Sequence, residues 1–104
     1  MNDNRVRAVV ICGSLNRAGA EIIQAAQEEW KRGRTVYAPV SQPDIPAEEH
    51  DRRHRVQILA ADEIVVAVGS DGRIGDHTAS EIAFAVEHGK PVRYYQPRLI
   101  RGES

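Results

Sequence analysis

Short apolar runs alternate along this chain with longer stretches that have helical periodicity. The runs are residues 7–12 (RAVVIC), 34–40 (RTVYAPV), 63–69 (EIVVAVG) and 91–96 (PVRYYQ). The first run contains three consecutive β-branched residues, Val9 to Ile11, and lacks polar alternation, which is typical of a strand buried on both faces of a sheet. We therefore predict four strands, the first of them central.

The stretches between these runs predict three helices. The first covers residues 18–33 and ends at Gly33, with its apolar positions at Ile22, Ile23, Ala26 and Trp30. The second covers residues 47–62 and becomes apolar towards its end, at Val56, Ile58 and Leu59. The third follows a polar loop that contains Gly72 and Gly75, and its apolar positions are Ile82, Ala85, Val86 and Gly89.

Strands that alternate with helices predict an α/β fold with a parallel sheet and right-handed crossovers. We expect residues 1–104 to form one domain, a small flavodoxin-like or Rossmann-like three-layer sandwich with strand order 2-1-3-4. Ligands of such sheets bind beyond the carboxyl ends of the strands, where the strand order reverses. This rule places the loop at Gly13 and Ser14 at the same mouth as the loop that contains Gly75.

Composition narrows the range of partners. The chain has 104 residues, a net charge of −1 and no long basic run, which argues against binding to a nucleic acid polymer or a membrane surface. Its one cysteine, Cys12, excludes an internal disulfide and a multi-thiolate metal site. We expect a cytoplasmic protein without a membrane span, a metal ion or a cofactor.

Glycines and hydroxyl residues near two predicted helix N-termini are candidate ligand contacts. Gly13 and Ser14 follow the first strand, and Gly75, Thr78 and Ser80 lie around the start of the third helix. Backbone N–H groups at helix N-termini bind anions such as phosphate. The same residue types also serve as turn and capping residues, so the pattern supports both interpretations.

Glu81 has two competing interpretations. In the first, residues 78–81 (TASE) form a capping box, with Thr78 as N-cap and Glu81 reaching back to the backbone N–H of Thr78. In the second, Glu81 is a carboxylate in the first helical turn that faces the mouth and attacks a sugar carbon. Both interpretations use the same oxygens.

Histidines and an aspartate in the second helix are candidate proton carriers. His50 and His54 are four residues apart and share a side of the helix, but no third metal ligand is evident. His54 also shares a side with Ile58, which indicates partial burial and a role in proton transfer near neutral pH. Asp51 faces either solvent or the site.

The ordered set of motifs resembles the nucleoside 2-deoxyribosyltransferase superfamily, which includes the 2′-deoxynucleoside 5′-phosphate N-hydrolases. The matching segments are residues 9–19 (VVICGSLNRAG), 60–68 (AADEIVVAV) and 75–92 (GDHTASEIAFAVEHGKPV). The resemblance implies a flavodoxin-like fold, a homodimer or larger assembly, and cleavage of the N-glycosidic bond of a nucleoside or nucleoside monophosphate.

The resemblance also implies residue roles. Glu81 would be the nucleophile at C1′, Gly13 and Ser14 would border the sugar and phosphate, and Thr78 or Ser80 would lie near the 5′ end. The chain departs from the family pattern in two places. The first strand lacks the family's tyrosine, and His54 stands where the nucleotide hydrolases carry an aspartate, eight residues before Asp62.

These observations leave two main hypotheses open, beside a third in which the chain is an interaction domain whose mouth is a vestige. The first is an N-glycoside hydrolase or transferase in which Glu81 attacks C1′ and His54 or Asp51 transfers the proton. The alternative is a non-catalytic module that binds a nucleotide or a nucleotide-derived signal in the same pocket. In either case we expect a homodimer, with the apolar end of the helix at residues 48–61 as its contact.

Overall fold

The computed structural model describes residues 6–41 and 43–96, which form four strands and three helices. In chain order these elements are β1 (Ala8–Cys12), α1 (Leu15–Lys31), β2 (Thr35–Tyr37), α2 (Ala47–Ala60), β3 (Glu63–Ala67), α3 (Asp76–Glu87) and β4 (Val92–Tyr95). The predicted elements are all present. The second strand is much shorter than expected, because the pairing of β2 with β1 ends at Tyr37.

The sheet is parallel throughout and has the predicted order β2-β1-β3-β4. Strand β1 pairs with β3 through contacts such as Ile11 with Val65, and β3 pairs with β4 through Val66 with Tyr94. Because β1 and β3 are central, every residue from Val9 to Cys12 and from Ile64 to Ala67 is buried. The prediction that the first strand is buried on both faces is confirmed.

Alternate residues of the central strands face two different helix layers. Val9, Ile11 and Val65 pack with the α1 residues Ala18 and Ile22. Residues of the opposite parity pack against α2 and α3, in a cluster that contains Val10, Cys12, Ile64, Ile58 and Ala85. This arrangement gives the predicted three layers. It also directs the side chain of Cys12 towards the helices that carry His54 and Glu81.

Helix α1 buries a different stripe from the one its sequence predicted. The buried residues are Ala18, Ile22, Ala25 and Glu29, whereas Ile23 and Trp30 are exposed. Small side chains let the helix lie close to the sheet, and Glu29 is buried because two arginines bind its carboxylate. The prediction that Ile23 and Trp30 belong to the apolar face was therefore wrong. Val86 of α3 is likewise exposed rather than buried.

Helix α3 begins earlier than the capping-box interpretation requires. Its N-cap is Gly75, its first residue is Asp76, and Thr78 lies inside the first turn, where it is buried. A residue within the helix cannot serve as N-cap, so the capping-box interpretation of Thr78 and Glu81 was wrong. The carboxylate of Glu81 is therefore available for other contacts.

Two glycines bring the loops of the mouth together. A Cβ atom on Gly13 would lie 3.0 Å from the carbonyl oxygen of Ala67, and one on Gly69 would collide with the carbonyl oxygen of Arg17. Glycine at both positions lets the loops after β1 and β3 pass close to each other and to the start of α1. Among the described residues, no helix is long and apolar enough to cross a membrane.

Candidate active site

A cavity of about 610 Å³ lies at the carboxyl edge of the sheet, where the strand order reverses. The predicted site residues that line it are Gly13, Ser14, His54, Gly75, Thr78 and Glu81. Residues from the loop after β1, from α2 and from α3 thus meet around one space. Its volume is in the range of pockets that bind small molecules.

Two predicted site residues do not line this cavity. Asp51 is outside the lining, but its carboxylate lies 2.8 Å from Nε2 of His77, which is a lining residue. Ser80 is exposed on α3 and has no place in the lining. Ser80 differs in this respect from Thr78 and Glu81, which are three residues apart on α3 and therefore share the helix face towards the cavity.

Glu81 is nearly enclosed at the inner end of the cavity. Its side chain is 12% exposed, and its carboxylate oxygens lie 3.6 Å from Nε2 of His54 and 3.5 Å from Nε2 of His77. Burial raises the pKa of Glu81 to about 7; the nearby charge of His77 opposes this shift and that of Asp51 adds to it. The carboxylate therefore changes its charge near neutral pH.

His54 lies between Glu81 and the end of β1. Its Nε2 atom is 3.6 Å from Sγ of Cys12 and 3.6 Å from Oε1 of Glu81, and its side chain is only 13% exposed. Burial and the charge of His77 lower the pKa of His54, with Asp51 acting in the opposite direction. The imidazole is therefore neutral near pH 7 and able to accept a proton.

Cys12 forms the floor of the same cluster. Burial raises the pKa of its thiol well above the ordinary range, and the Glu81 carboxylate adds to the effect. Cys12 is therefore a neutral thiol, whereas His54 and Glu81, the other residues of the cluster, can act as a base and an acid. Reactivity as a free thiolate is not what this environment favours.

Sequence reasoning missed several residues of the site. His77 lies four residues before Glu81 and so shares its face of α3, a spacing that could have identified it. Cys12 has the same parity as Val10 and ends the central strand, which places it at the carboxyl edge of the sheet, buried next to His54. The cationic side chains of Arg17 and Arg53 also line the cavity, although no local pattern distinguishes them from surface arginines.

The walls of the cavity are of two kinds. On one side lie the N-terminal ends of α1 and α3, with Ser14 as the N-cap of α1, whose hydroxyl accepts a hydrogen bond from the backbone N–H of Arg17. On the other side are apolar residues that follow β2 and precede α2, namely Ala38, Pro39, Val40 and Ile45. The cavity thus offers anion-binding groups near one wall and an apolar surface near the other.

Comparison with solved structures gives a match to a 2-desoxiribosyltransferase from Leishmania mexicana, with a TM-score of 0.69 and 16% sequence identity. The match covers 86% of this chain and 64% of that protein, so the chain spans less than two thirds of its length. No family model and no curated protein matches the sequence. At this identity the likeness establishes the fold alone, and the predicted α/β fold with strand order 2-1-3-4 is confirmed.

Proposed function

We propose that this protein cleaves or transfers the N-glycosidic bond of a nucleoside or nucleoside 5′-monophosphate, with Glu81 as the nucleophile at C1′. The observation that carries this proposal is the position of Glu81. Its carboxylate lies at the inner end of a ligand-sized cavity and faces His54 and His77 rather than a buried arginine. A carboxylate placed in this way keeps oxygens available for a ligand.

The remaining walls of the cavity suit such a substrate. Arg17 and Arg53 supply positive charge, and the N-termini of α1 and α3 supply backbone N–H groups, for a 5′-phosphate. The apolar wall around Pro39, Val40 and Ile45 suits the flat face of a nucleobase. The protein that shares this fold is by its name a 2-desoxiribosyltransferase, which supports sugar transfer as the class of reaction.

The proposed reaction has two steps. The ionised carboxylate of Glu81 attacks C1′ as the bond to the base breaks, and the base leaves with a proton, which forms a glycosyl ester. Water or a second base then attacks C1′, and neutral His54 takes the proton of that nucleophile as the ester bond breaks. In this scheme His77, whose Nε2 lies 2.8 Å from Oδ1 of Asp51, supplies the proton that the leaving base requires.

A second candidate function is a module that binds the same nucleotide without cleaving it. The specific observation in its favour is the burial of Glu81, which raises its pKa to about 7 and so reduces the ionised fraction that can attack C1′ near neutral pH. The presence of His54 where the nucleotide hydrolases carry an aspartate points the same way. This alternative uses Arg17, Ser14 and the helix N-termini as proposed above, with Glu81 as a hydrogen-bonding group.

A panel experiment separates the two functions. The chain is incubated with purine and pyrimidine nucleosides, ribo and 2′-deoxy, and with their 5′-monophosphates, in the presence of a chelator. Chromatography detects free base, and calorimetry measures binding. We expect release of base from at least one member of the panel. Binding without release by a folded protein supports the module, and neither binding nor release contradicts both functions.

The homodimer and the cytoplasmic location stay predictions. Val56 and Leu59, at the apolar end of α2, are 54% and 46% exposed, as a contact there requires.

A further inference from the structure

Cys12, His54 and Glu81 present three different metal-binding atoms to one point. These are a thiol sulfur, an imidazole nitrogen and a carboxylate oxygen, all within 4.8 Å of one another. They come from β1, α2 and α3, so the packing of the whole sheet edge holds them together. We propose that these three side chains form a binding site for one divalent transition-metal ion of the zinc class.

The separations agree with tetrahedral coordination. Zinc–ligand bonds of about 2.0 to 2.3 Å at tetrahedral angles place neighbouring ligand atoms roughly 3.3 to 3.6 Å apart. Here Nε2 of His54 lies 3.6 Å from the Cys12 sulfur and 3.6 Å from Oε1 of Glu81. The remaining pair, the Cys12 sulfur and the Glu81 carboxylate, lies within 4.8 Å, so binding of the ion requires these two atoms to move closer together.

The chemistry of the ligands selects the ion. A thiolate and an imidazole favour Zn²⁺ and its late transition-metal neighbours, whereas Mg²⁺ and Ca²⁺ prefer sites made only of oxygen ligands. Cys12 binds as a thiolate, so its proton is released when the ion binds. The thiolate and carboxylate together balance the two charges of the ion. Three protein ligands leave a fourth position for water on the side of the cavity.

Metal binding and the proposed catalysis would exclude each other. An ion held by Glu81 occupies the oxygens that the proposed mechanism needs for attack on C1′. This consequence rests on the proposed function, whereas the binding of the ion rests on the three side chains alone. If both hold, the ion is a reversible inhibitor that competes with substrate at the floor of the cavity.

Cobalt(II) provides a direct probe of binding. Cys12 is the one cysteine of the sequence, so a thiolate-to-cobalt charge-transfer band in the near ultraviolet would identify it as a ligand. The protein is titrated with Co²⁺ in the presence of a thiol-free reductant, and Zn²⁺ is then added to displace it. We expect one ion per chain, intense tetrahedral visible bands, and loss of the signal on addition of Zn²⁺.

Variants test each ligand separately. Cys12→Ser should abolish the charge-transfer band, and His54→Ala and Glu81→Gln should each weaken Co²⁺ binding by at least about tenfold. The controls are His88→Ala and Glu87→Gln, both at exposed positions at the C-terminal end of α3 and away from the cavity, which should bind as the parent does. Circular dichroism checks folding. If Cys12→Ser fails to fold, the other two ligand variants carry the test.

Two results would overturn the proposal. One is a folded parent protein that shows no thiolate-to-cobalt band at saturating Co²⁺. The other is a band whose affinity does not change in His54→Ala and Glu81→Gln, which would mean that the thiol binds the ion without them. Neither readout depends on catalysis. A metal site without base release would leave this proposal standing and contradict only the proposed enzyme.

Discussion

Two buried glutamates at opposite edges of the sheet have pKa values that are shifted in opposite directions. Glu29 lies at the amino edge and is 3% exposed, and Glu81 lies at the carboxyl edge and is 12% exposed. Hydrogen bonds from Arg93 and Arg34 outweigh the effect of burial and hold the pKa of Glu29 below its ordinary value. Burial dominates at Glu81 and raises its pKa to about 7.

The neighbours of each carboxylate account for this difference. Glu29 lies 2.6 Å from Nη1 of Arg34 and 2.9 Å from Nη2 of Arg93, and Arg93 in turn binds both oxygens of Glu63. These permanent positive charges keep the carboxylate ionised and fully engaged. Glu81 instead faces two imidazoles, those of His54 and His77. The arginine contacts of Glu29 stabilise the fold, whereas the imidazole contacts of Glu81 are typical of proton transfer or ligand binding.

The largest effect should come from Glu81→Gln, measured as base release in the presence of a chelator. Glutamine has nearly the same size but cannot form the glycosyl ester, so turnover should fall by about 10³-fold or more. Folding and nucleotide binding should persist, since glutamine keeps the size and most of the hydrogen-bonding capacity of the side chain and no helix cap is lost. Glu87→Gln, at an exposed position of the same helix, is the matched control. Turnover near the parent rate in Glu81→Gln would exclude Glu81 as the nucleophile.

The next effect should be on stability, in Glu29→Gln. Removing one partner of a buried ion pair leaves the other charges poorly compensated, which costs about 3 kcal/mol of unfolding free energy. The estimate is at the low end of the usual range because the side chain of Arg93 is 36% exposed. Urea unfolding monitored by circular dichroism measures the loss. Turnover per folded molecule should not change.

Glu49→Gln is the matched control for this prediction. Glu49 also contacts two arginines, with Nη2 of Arg52 at 2.6 Å and Nε of Arg53 at 2.7 Å, but these side chains lie at the surface of α2. Surface ion pairs contribute little to stability, so this variant should unfold much as the parent does. Equal losses in Glu29→Gln and Glu49→Gln would show that burial does not set the difference.

The sequence predicted the strand order and the location of the candidate site, but it did not predict where α3 begins. The strand order and the convergence of Gly13, Ser14 and Glu81 follow from rules about parallel sheets, which depend on local pattern and chain order. The capping box failed because a four-residue pattern does not fix where a helix begins, and α3 starts at Asp76. The first residue of a helix depends on backbone conformation and tertiary contacts, which a local sequence pattern does not determine.

The other contacts depend on tertiary structure. Glu29, Glu63 and Arg93 are far apart in the chain and meet only when α1, β3 and β4 pack together. The grouping of Cys12 with His54 and Glu81 likewise requires three elements. Periodicity assigns a side chain to a face of its own element, but it does not say which side chain of another element lies opposite.

The smallest predicted effect is on the pH dependence of stability, which should differ between Glu81→Gln and Glu29→Gln. It tests most directly whether the two carboxylates have oppositely shifted pKa values. The folded pKa of Glu81, about 7, lies above its ordinary value of 4.5. Ionisation therefore costs more in the folded than in the unfolded state, and the parent loses stability as pH rises from about 4.5 to 7. Glutamine does not ionise. In unfolding experiments with a chelator, the stability of Glu81→Gln should increase relative to that of the parent as pH rises across this window, by about 2 kcal/mol at pH 6.

Glu29 gives the opposite sign in a different window. Its folded pKa is lowered, so its contribution to stability is present above the ordinary value of 4.5 and is lost as pH falls through the folded value. The deficit of Glu29→Gln should therefore shrink in acid and remain constant above pH 5 or so. A flat difference between Glu81→Gln and the parent from about pH 4.5 to 7 would show that Glu81 titrates as an ordinary surface acid. The contrast between the two ends of the sheet would then fail, and so would the observation on Glu81 that favours the binding module over the enzyme.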